Sequence, residues 1–326
     1  MYKILTFNEV NKEITSGSHK KLKNLLLGNG FSIAFNKSFS YKNLYKKAVQ
    51  NDKKAVKNGN DKNEIFTKDI KKIFNKNGSD FEKVMEAMKA SGSSDNQINK
   101  IRNVFVQTNT SVHPKDPYAI ETTQYDSNYK FLSDYDNIYT TNYDLLLNWV
   151  ITKKAVGSFS EGFKEDGDKR YLWHKENYNS KKKIFYLHGC LALFYEQKAL
   201  IMKRFQDYEN KKKFEHILEE MLKNAEFPLF VAEGSSNNKK NKIEKDDYLK
   251  NAYENFEKMS GSLVTYGFGF NENDNHIIDA ILRSQVECVY IGLYDLNSIR
   301  KLEEKLLQDN NDNKTIKFYD ASVKIW

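Results

Sequence analysis

The sequence predicts an α/β protein: a doubly wound, mostly parallel sheet with a helical insertion. Three observations carry that expectation. Short apolar runs rich in β-branched and aromatic residues recur, among them Leu25-Leu26-Leu27, Ile138-Tyr139-Thr140 and Leu263-Val264-Thr265-Tyr266. Each ends in glycine or polar residues and gives way to helical spacing, the alternation of parallel strands joined by crossover helices. Between 36 and 130 the alternation stops and helical spacing alone persists.

Taken in order, Phe7, Val10 and Ile14 fall at helical spacing within residues 1 to 20. The strand Lys23 to Leu27 is closed by Gly28-Asn29-Gly30-Phe31-Ser32, ahead of the helix start Ile33-Ala34-Phe35. Strand, glycine turn and helix start make a phosphate cradle or a plain tight turn, since glycines admit close backbone approach and free helix N–H groups attract an anion. In the next block Ile65, Phe66, Ile70, Ile73 and Phe74, then Phe81, Val84, Met85 and Met88, predict helices, which Gln97 to Val106 continues. Residues 75–80 and 91–95 are loops, no cluster here looks catalytic, and His113 before Pro114 reads as a loop residue. Residues 1–326 are therefore one domain, with 36–130 a helical insertion or cap over the sheet's edge.

The second strand, Ile138 to Thr141, runs into Asn142-Tyr143-Asp144 and then a helix from Leu145. That places Thr141, Asn142 and Asp144 at a carboxyl edge, where open α/β sheets bind ligands; Asn142 also suits a helix cap. Ser158 to Asn179 reads as a charged, aromatic loop whose Trp173 and His174 are candidates to cover a pocket. Lys183 to Cys190 is a strand ending in His188-Gly189, with the histidine either at the same edge or bonded in the core. Leu193 to Leu222 reads as hairpin or helix, with Phe214, Ile217, Leu218 and Met221 as core. Pro228 to Ala232 reads as a strand, 237–247 as a polar lysine-rich loop, and Tyr248 to Met259 as a helix. Ser262 to Tyr266 is a strand closed by Gly267-Phe268-Gly269-Phe270; Asn271 to His276 then leads into the helix Ile277 to Arg283. Val286 to Ile291 is a strand, Ser298 to Leu307 a helix, and Ile316 to Tyr319 the last strand.

A net charge of +8 invites a nucleic-acid reading, but lysines dominate and scatter in short runs, at 181–183, 211–213 and 239–240, which read as solvated surface. Two cysteines exclude a disulfide framework and a four-thiolate zinc site. Six histidines without a ligand-spaced pair on a helix predict no metal. No run of eighteen apolar residues occurs and the opening residues lack a secretory signal, so the expectation is a cytoplasmic protein without membrane contact.

Three strand ends together resemble the sirtuin family of NAD-dependent enzymes. Gly28-Asn29-Gly30-Phe31-Ser32 looks like its G-A-G-x-S turn with Asn29 for alanine. Thr140-Thr141-Asn142-Tyr143-Asp144 looks like its T-Q-N-x-D motif with Thr141 for glutamine, and Leu187-His188-Gly189 like its catalytic H-G. Tyr266-Gly267-Phe268-Gly269 falls where that family sets a glycine turn against the ribose. The resemblance implies a Rossmann-like domain that binds NAD, with Gly28, Asn29, Gly30, Phe31 and Ser32 at the diphosphate and Gly267, Phe268 and Asp274 at the adenosine half. Asn142 would hold ribose hydroxyls or the attacking water. His188, with an ordinary pKa of about 6.5, would take the proton. Asp144 either orients the Asn142 loop or caps the following helix; Asp274 and His276 are alternatively a helix cap and a surface residue.

Sirtuin deacylases carry a four-cysteine zinc module after the H-G motif, and here Cys190 is the only cysteine in that region. The likeness is closer to bacterial sirtuin-like domains without the module, including those that hydrolyse NAD in antiviral defence. The expected activity is therefore NAD glycohydrolysis to nicotinamide and ADP-ribose. A non-catalytic NAD or ADP-ribose sensor is the alternative; deacylation or ADP-ribosyl transfer would need an acceptor groove, and the missing zinc module argues against one. With no recognisable sensor domain fused, control by a homo-oligomer or a separate regulatory partner is expected.

Overall fold

Strands β1 (Lys23–Leu27), β2 (Asn137–Thr140), β3 (Phe159–Ser160), β4 (Phe163–Glu165), β5 (Tyr171–Trp173), β6 (Lys182–Tyr186), β7 (Leu193–Glu196), β8 (Ala199–Met202), β9 (Ser260–Tyr266), β10 (Gln285–Leu293) and β11 (Thr315–Asp320) form two sheets. The large one has the order β11-β10-β9-β1-β2-β6-β3, and every neighbouring pair in it is parallel. The small one, β4-β5-β8-β7, is antiparallel. These come from a computed structural model that describes residues 3–16, 22–58, 64–154, 157–166, 171–178, 180, 182–196, 198–202, 227–232, 234–295, 299, 302, 306 and 314–326.

The carboxyl-terminal halves of the central strands are mostly apolar on successive residues because helices cover both faces, so both side-chain sets of a strand must be buried. Leu25, Leu26 and Leu27 are all inaccessible to solvent. Tyr139 is paired in register with Leu26 and Tyr266 with Leu27, so the two tyrosines point to opposite faces. Tyr139 meets Phe256 of the helix Asp247–Glu257 on one face, with ring centroids 4.9 Å apart. Tyr266 meets Phe131 of the helix Thr122–Ser133 on the other, at 5.4 Å. This is a doubly wound, Rossmann-like sheet. The one polar residue buried inside β1, Asn24, is satisfied sideways: its amide donates to the Ser260 and Ser262 carbonyls and its oxygen accepts from Asn137.

Residues 36–130 supply the helices Tyr41–Lys57, Lys68–Lys76, Phe81–Ala90 and Asp95–Val112 before the crossover helix Thr122–Ser133. Asp80 caps the third of these and a Ser94–Gln97 capping box opens the fourth, which is why the chain breaks where the sequence predicts loops. Their core is a file of aromatic rings, Tyr45 on Phe74, Phe74 on Phe81 and Phe81 on Phe105, at 4.5, 4.9 and 5.1 Å. Phe105 then touches Tyr143, so the file ends at the β2 turn.

Several local expectations are corrected. Residues 158–179 are not simply loop: β3, β4 and β5 lie within them, and Trp173 packs on Tyr248. Pro228 to Ala232 is no strand of either sheet; it makes a single antiparallel bridge, Phe230 to Gly189. The lysine-rich segment 237–247 is mostly the helix Ser236–Glu244, capped by Ser235. His113 is buried, its Nε2 accepting the Leu145 N–H at 3.1 Å and its ring edge-on to Trp149. Burial pushes its pKa down to about 3, which keeps it the neutral acceptor this bond needs. The stripe Phe214 to Met221 and the lysines 211–213 lie outside the described residues, as does most of 298–307.

Candidate functional site

Tyr266, Leu27, Thr140 and Tyr186 lie in register across β9, β1, β2 and β6, so the residues after them form one continuous edge. The chain passes from β1 to β2 on one side and later returns to β9 on the other. That makes the β1–β9 boundary the topological switch point, where such sheets open a crevice. A cleft of about 940 Å³ opens there. Gly28, Asn29, Gly30, Thr141, Asn142, Asp144, His188, Gly267, Phe268 and Asp274 all line it, brought together from four strand ends. Phe31 and Ser32 do not line it. Phe31 is buried against Trp326, whose indole N–H donates to the Phe31 carbonyl at 3.0 Å. Trp173 and His174 are also absent from its walls, and His174 is exposed.

On the glycine side the turns pack on each other. The Gly28 N–H donates to the Tyr266 carbonyl and the Gly30 N–H to that of Gly267, at 3.0 and 2.9 Å. The Phe31 and Ser32 N–H groups close the helix start on the Gly28 and Asn29 carbonyls. A Cβ on Gly30 would come within 2.4 Å of the Gly267 Cα, and Gly267 itself has φ +66°. The close approach that these glycines permit is therefore that of one turn to the other.

On the polar side, Asn142, Ser32 and Asp144 form a directed chain. The Asn142 amide donates to Ser32 Oγ at 3.0 Å, and Ser32 Oγ donates to Asp144 Oδ2 at 2.5 Å. Asp144 Oδ1 accepts the Leu146 N–H at 2.9 Å, so the one carboxylate both caps the helix Leu146–Lys154 and holds the Asn142 loop through Ser32. Burial raises its pKa. The chain leaves Asn142 Oδ1 buried with no protein donor. A buried carbonyl oxygen at a cleft wall calls for a donor from a ligand or water.

His188, 1% exposed, faces His276, 2% exposed, with Nε2 to Nε2 at 2.9 Å. His276 Nδ1 lies 3.1 Å from Ser236 Oγ, which accepts the His276 main-chain N–H at 2.6 Å. His276 is thus no surface residue. Burial, with the Lys239 charge and His276 adding to it, pushes the His188 pKa well below 6.5. Burial takes His276 down to about 4, partly offset by Asp274. Both rings are neutral at pH 7, which corrects the ordinary imidazole pKa expected for His188. Gly189, at φ +72°, turns the chain behind the histidine: a Cβ there would lie 2.1 Å from the Leu229 carbonyl oxygen.

Sequence reasoning missed the ionic floor beside these histidines. Lys239, fully buried, pairs with Glu82 at 2.5 Å and with Asp274 at 2.9 Å. Glu82 also accepts from Tyr41 Oη, Tyr143 Oη and the Asn273 amide, at 2.8, 3.1 and 3.1 Å. Despite burial, the two carboxylates raise the Lys239 pKa, so the lysine stays charged. Asp274 makes no side-chain cap bond to the helix that follows it; its carboxylate belongs to this pair. The only local signals were Glu82 within the stripe Phe81, Val84, Met85 and Lys239 one helical turn before Ile243, all of them buried. Among the described residues, His188, Asp274 and His276 are the group whose donor atoms, within 4.8 Å of one another, have metal-ligand spacing. The Lys239 ammonium already supplies positive charge at Asp274, and the two Nε2 atoms already satisfy each other.

The fold and the cleft define a Rossmann-like α/β protein with a polar pocket at its switch point. The family described as "Domain of unknown function (DUF4917)" matches residues 25–326, and the chain belongs to that family. No curated protein matches the chain significantly. No helix among the described residues is long and apolar enough to cross a membrane.

Proposed function

We propose that this protein is an NAD glycohydrolase that cleaves NAD to nicotinamide and ADP-ribose. The observation that carries the reading is Asn142 Oδ1: a buried acceptor without a protein donor, on the wall of a 940 Å³ switch-point cleft that also holds His188. Cleavage of the nicotinamide glycosidic bond passes through an oxocarbenium-like state, and the pyridinium is already a good leaving group. What the protein must supply is orientation and a proton acceptor. Asn142 Oδ1 accepts a hydrogen bond from a ribose hydroxyl or from the attacking water. The water oxygen bonds to the anomeric carbon as the carbon–nitrogen bond breaks and its electron pair leaves with nicotinamide. The water's proton goes to His188 and then to solvent. Gly28 to Gly30 and Gly267 to Phe268 would border the diphosphate and adenosine, shaping the cleft by their backbone. In the cell the reading is a regulated effector of bacterial antiviral defence, cytoplasmic and held in check by self-assembly or a partner protein.

NAD consumption by the purified chain, with nicotinamide and ADP-ribose separated chromatographically, tests this. Turnover in the wild type that falls at least ~10²-fold in Asn142→Ala and in His188→Ala supports it. A tight ADP-ribose complex with no turnover, with or without an activating partner, would assign a nucleotide sensor instead.

A further inference from the structure

His188 Nε2 is engaged by His276, so Nδ1 is the ring nitrogen left to face the cleft. Nδ1 can take a proton only if it carries the lone pair, and that requires the ring's own proton to sit on Nε2. Nε2–H then donates to His276 Nε2, which obliges His276 to carry its proton on Nδ1 and to donate it to Ser236 Oγ, 3.1 Å away. The alternative chain, with the Ser236 hydroxyl donating to His276 Nδ1, reverses every bond and leaves His188 with Nδ1–H, unable to act as a base. The proton pattern of the pair is thus binary and is set at Ser236.

We infer that His276 and Ser236 are positioning residues that hold His188 in the tautomer with a bare Nδ1, and that His276 takes over the Nε2 proton when His188 accepts one from the cleft. The inference rests on the reading of His188 as the base. In the step, an O–H bond of water breaks and His188 Nδ1–H forms; His188 Nε2–H breaks and His276 Nε2–H forms. The positive charge ends on His276, whose two N–H groups both have acceptors, beside the half-buried Asp274 carboxylate. The groups facing the pair are Lys239 and the Tyr143 ring at His188, and Asp274, Lys239, Lys240 and Tyr253 at His276. Asp274 favours the charge on His276, and Lys239 and Lys240 oppose it.

The test reads the protons directly, without needing turnover. Long-range ¹H–¹⁵N spectra of the imidazoles in the intact wild-type chain at pH 7 should show His188 protonated at Nε2 and His276 at Nδ1. Ser236→Ala should scramble both tautomers, and Ser236→Thr, which keeps the hydroxyl, should restore them. In the NAD assay, His276→Asn should cut kcat ~10²-fold with KM little changed and shift the pH profile, and Ser236→Thr should keep most of the rate. If the wild type shows the expected tautomers yet never turns over NAD, the tautomer assignment stands and the NAD reading falls. Protonation of His188 at Nδ1, or an unchanged His188 tautomer in both His276→Asn and Ser236→Ala, overturns the inference. So does stoichiometric loss of the His188 Nε2 proton on adding Zn²⁺, which would make the pair a metal site.

Discussion

On the Gly28 side of the cleft the chain meets itself backbone to backbone, and on the His188 side it meets itself through buried polar side chains. The first wall is two turns in van der Waals and hydrogen-bond contact, their glycines needed because no Cβ fits between Gly30 and Gly267. The second wall is a set of side chains from distant segments, Glu82 from the insertion, Asn142 and His188 from strand ends and Asp274 from beyond β9, with Lys239 and His276 bonded to them from behind. The first wall has its hydrogen-bonding groups largely spent on itself. The second keeps an unfilled acceptor in Asn142 and a neutral histidine pair. Rigidity and chemistry are thus divided between the two sides, with the glycine wall shaping the space and the polar wall offering groups to a ligand.

The comparison is broken most severely at Lys239. Lys239→Met leaves the buried Glu82 and the half-buried Asp274 without a counter-charge, so denaturant unfolding should show a loss of about 3–5 kcal/mol. The neighbouring Lys240→Met removes a long, part-exposed pair with Glu244 at 4.0 Å and a loose cation–π contact with the Tyr253 ring at 5.9 Å, and should cost less than about 1 kcal/mol. Equal losses in the two variants would mean that the ionic floor contributes nothing special.

The glycine wall answers to volume rather than charge. Gly30→Ala forces a methyl into the Gly267 backbone and should destabilise by about 1–3 kcal/mol, with the two turns pushed apart. Unchanged stability would show that the turns can separate freely and that the contact does not shape the cleft.

The gentlest probe is a slope. Burial, reinforced by the Glu82 charge, raises Asp80 from 3.8 to about 7. A raised carboxyl is protonated in the folded chain while the unfolded chain ionises, so its stabilising contribution is complete below 3.8 and is lost as pH rises towards 7. Asp80→Asn keeps an acceptor for the Glu82 and Lys83 N–H groups but cannot ionise. Its stability relative to wild type should therefore grow between pH 4 and 7; a flat difference in unfolding free energy would sink the assignment.

Much of this was legible in the chain itself. The strands β1, β2, β6, β9, β10 and β11 announce themselves through short β-branched, leucine and aromatic runs, longest where the strand is buried on both faces, and the helices of 36–130 because their apolar residues recur every three or four positions. The turns at Gly28 and Gly267 are legible because a positive φ or a missing Cβ is a local demand, met locally by glycine. Strand ends at one edge of a parallel sheet also share a crevice by topology, which is why Gly28, Asn142, His188 and Gly267 meet as the pattern of strands and turns implies.

Lys239, Glu82 and His276 show where that legibility stops. Lys239 has the composition of a solvated run and is fully buried, Glu82 sits in a helix without any catalytic look, and His276 follows a polar segment that suits the surface. Each is buried because a partner from elsewhere offsets the cost of removing it from water: 157 residues separate Lys239 from Glu82 and 88 separate His188 from His276. Backbone conformation and apolar periodicity are properties of neighbouring residues, so the sequence by itself determined the sheet, its helices and the edge that carries the cleft. The pairing of buried charges and the tautomers of facing imidazoles are properties of atoms that only the folded chain brings within 3 Å. Tertiary structure alone decided them.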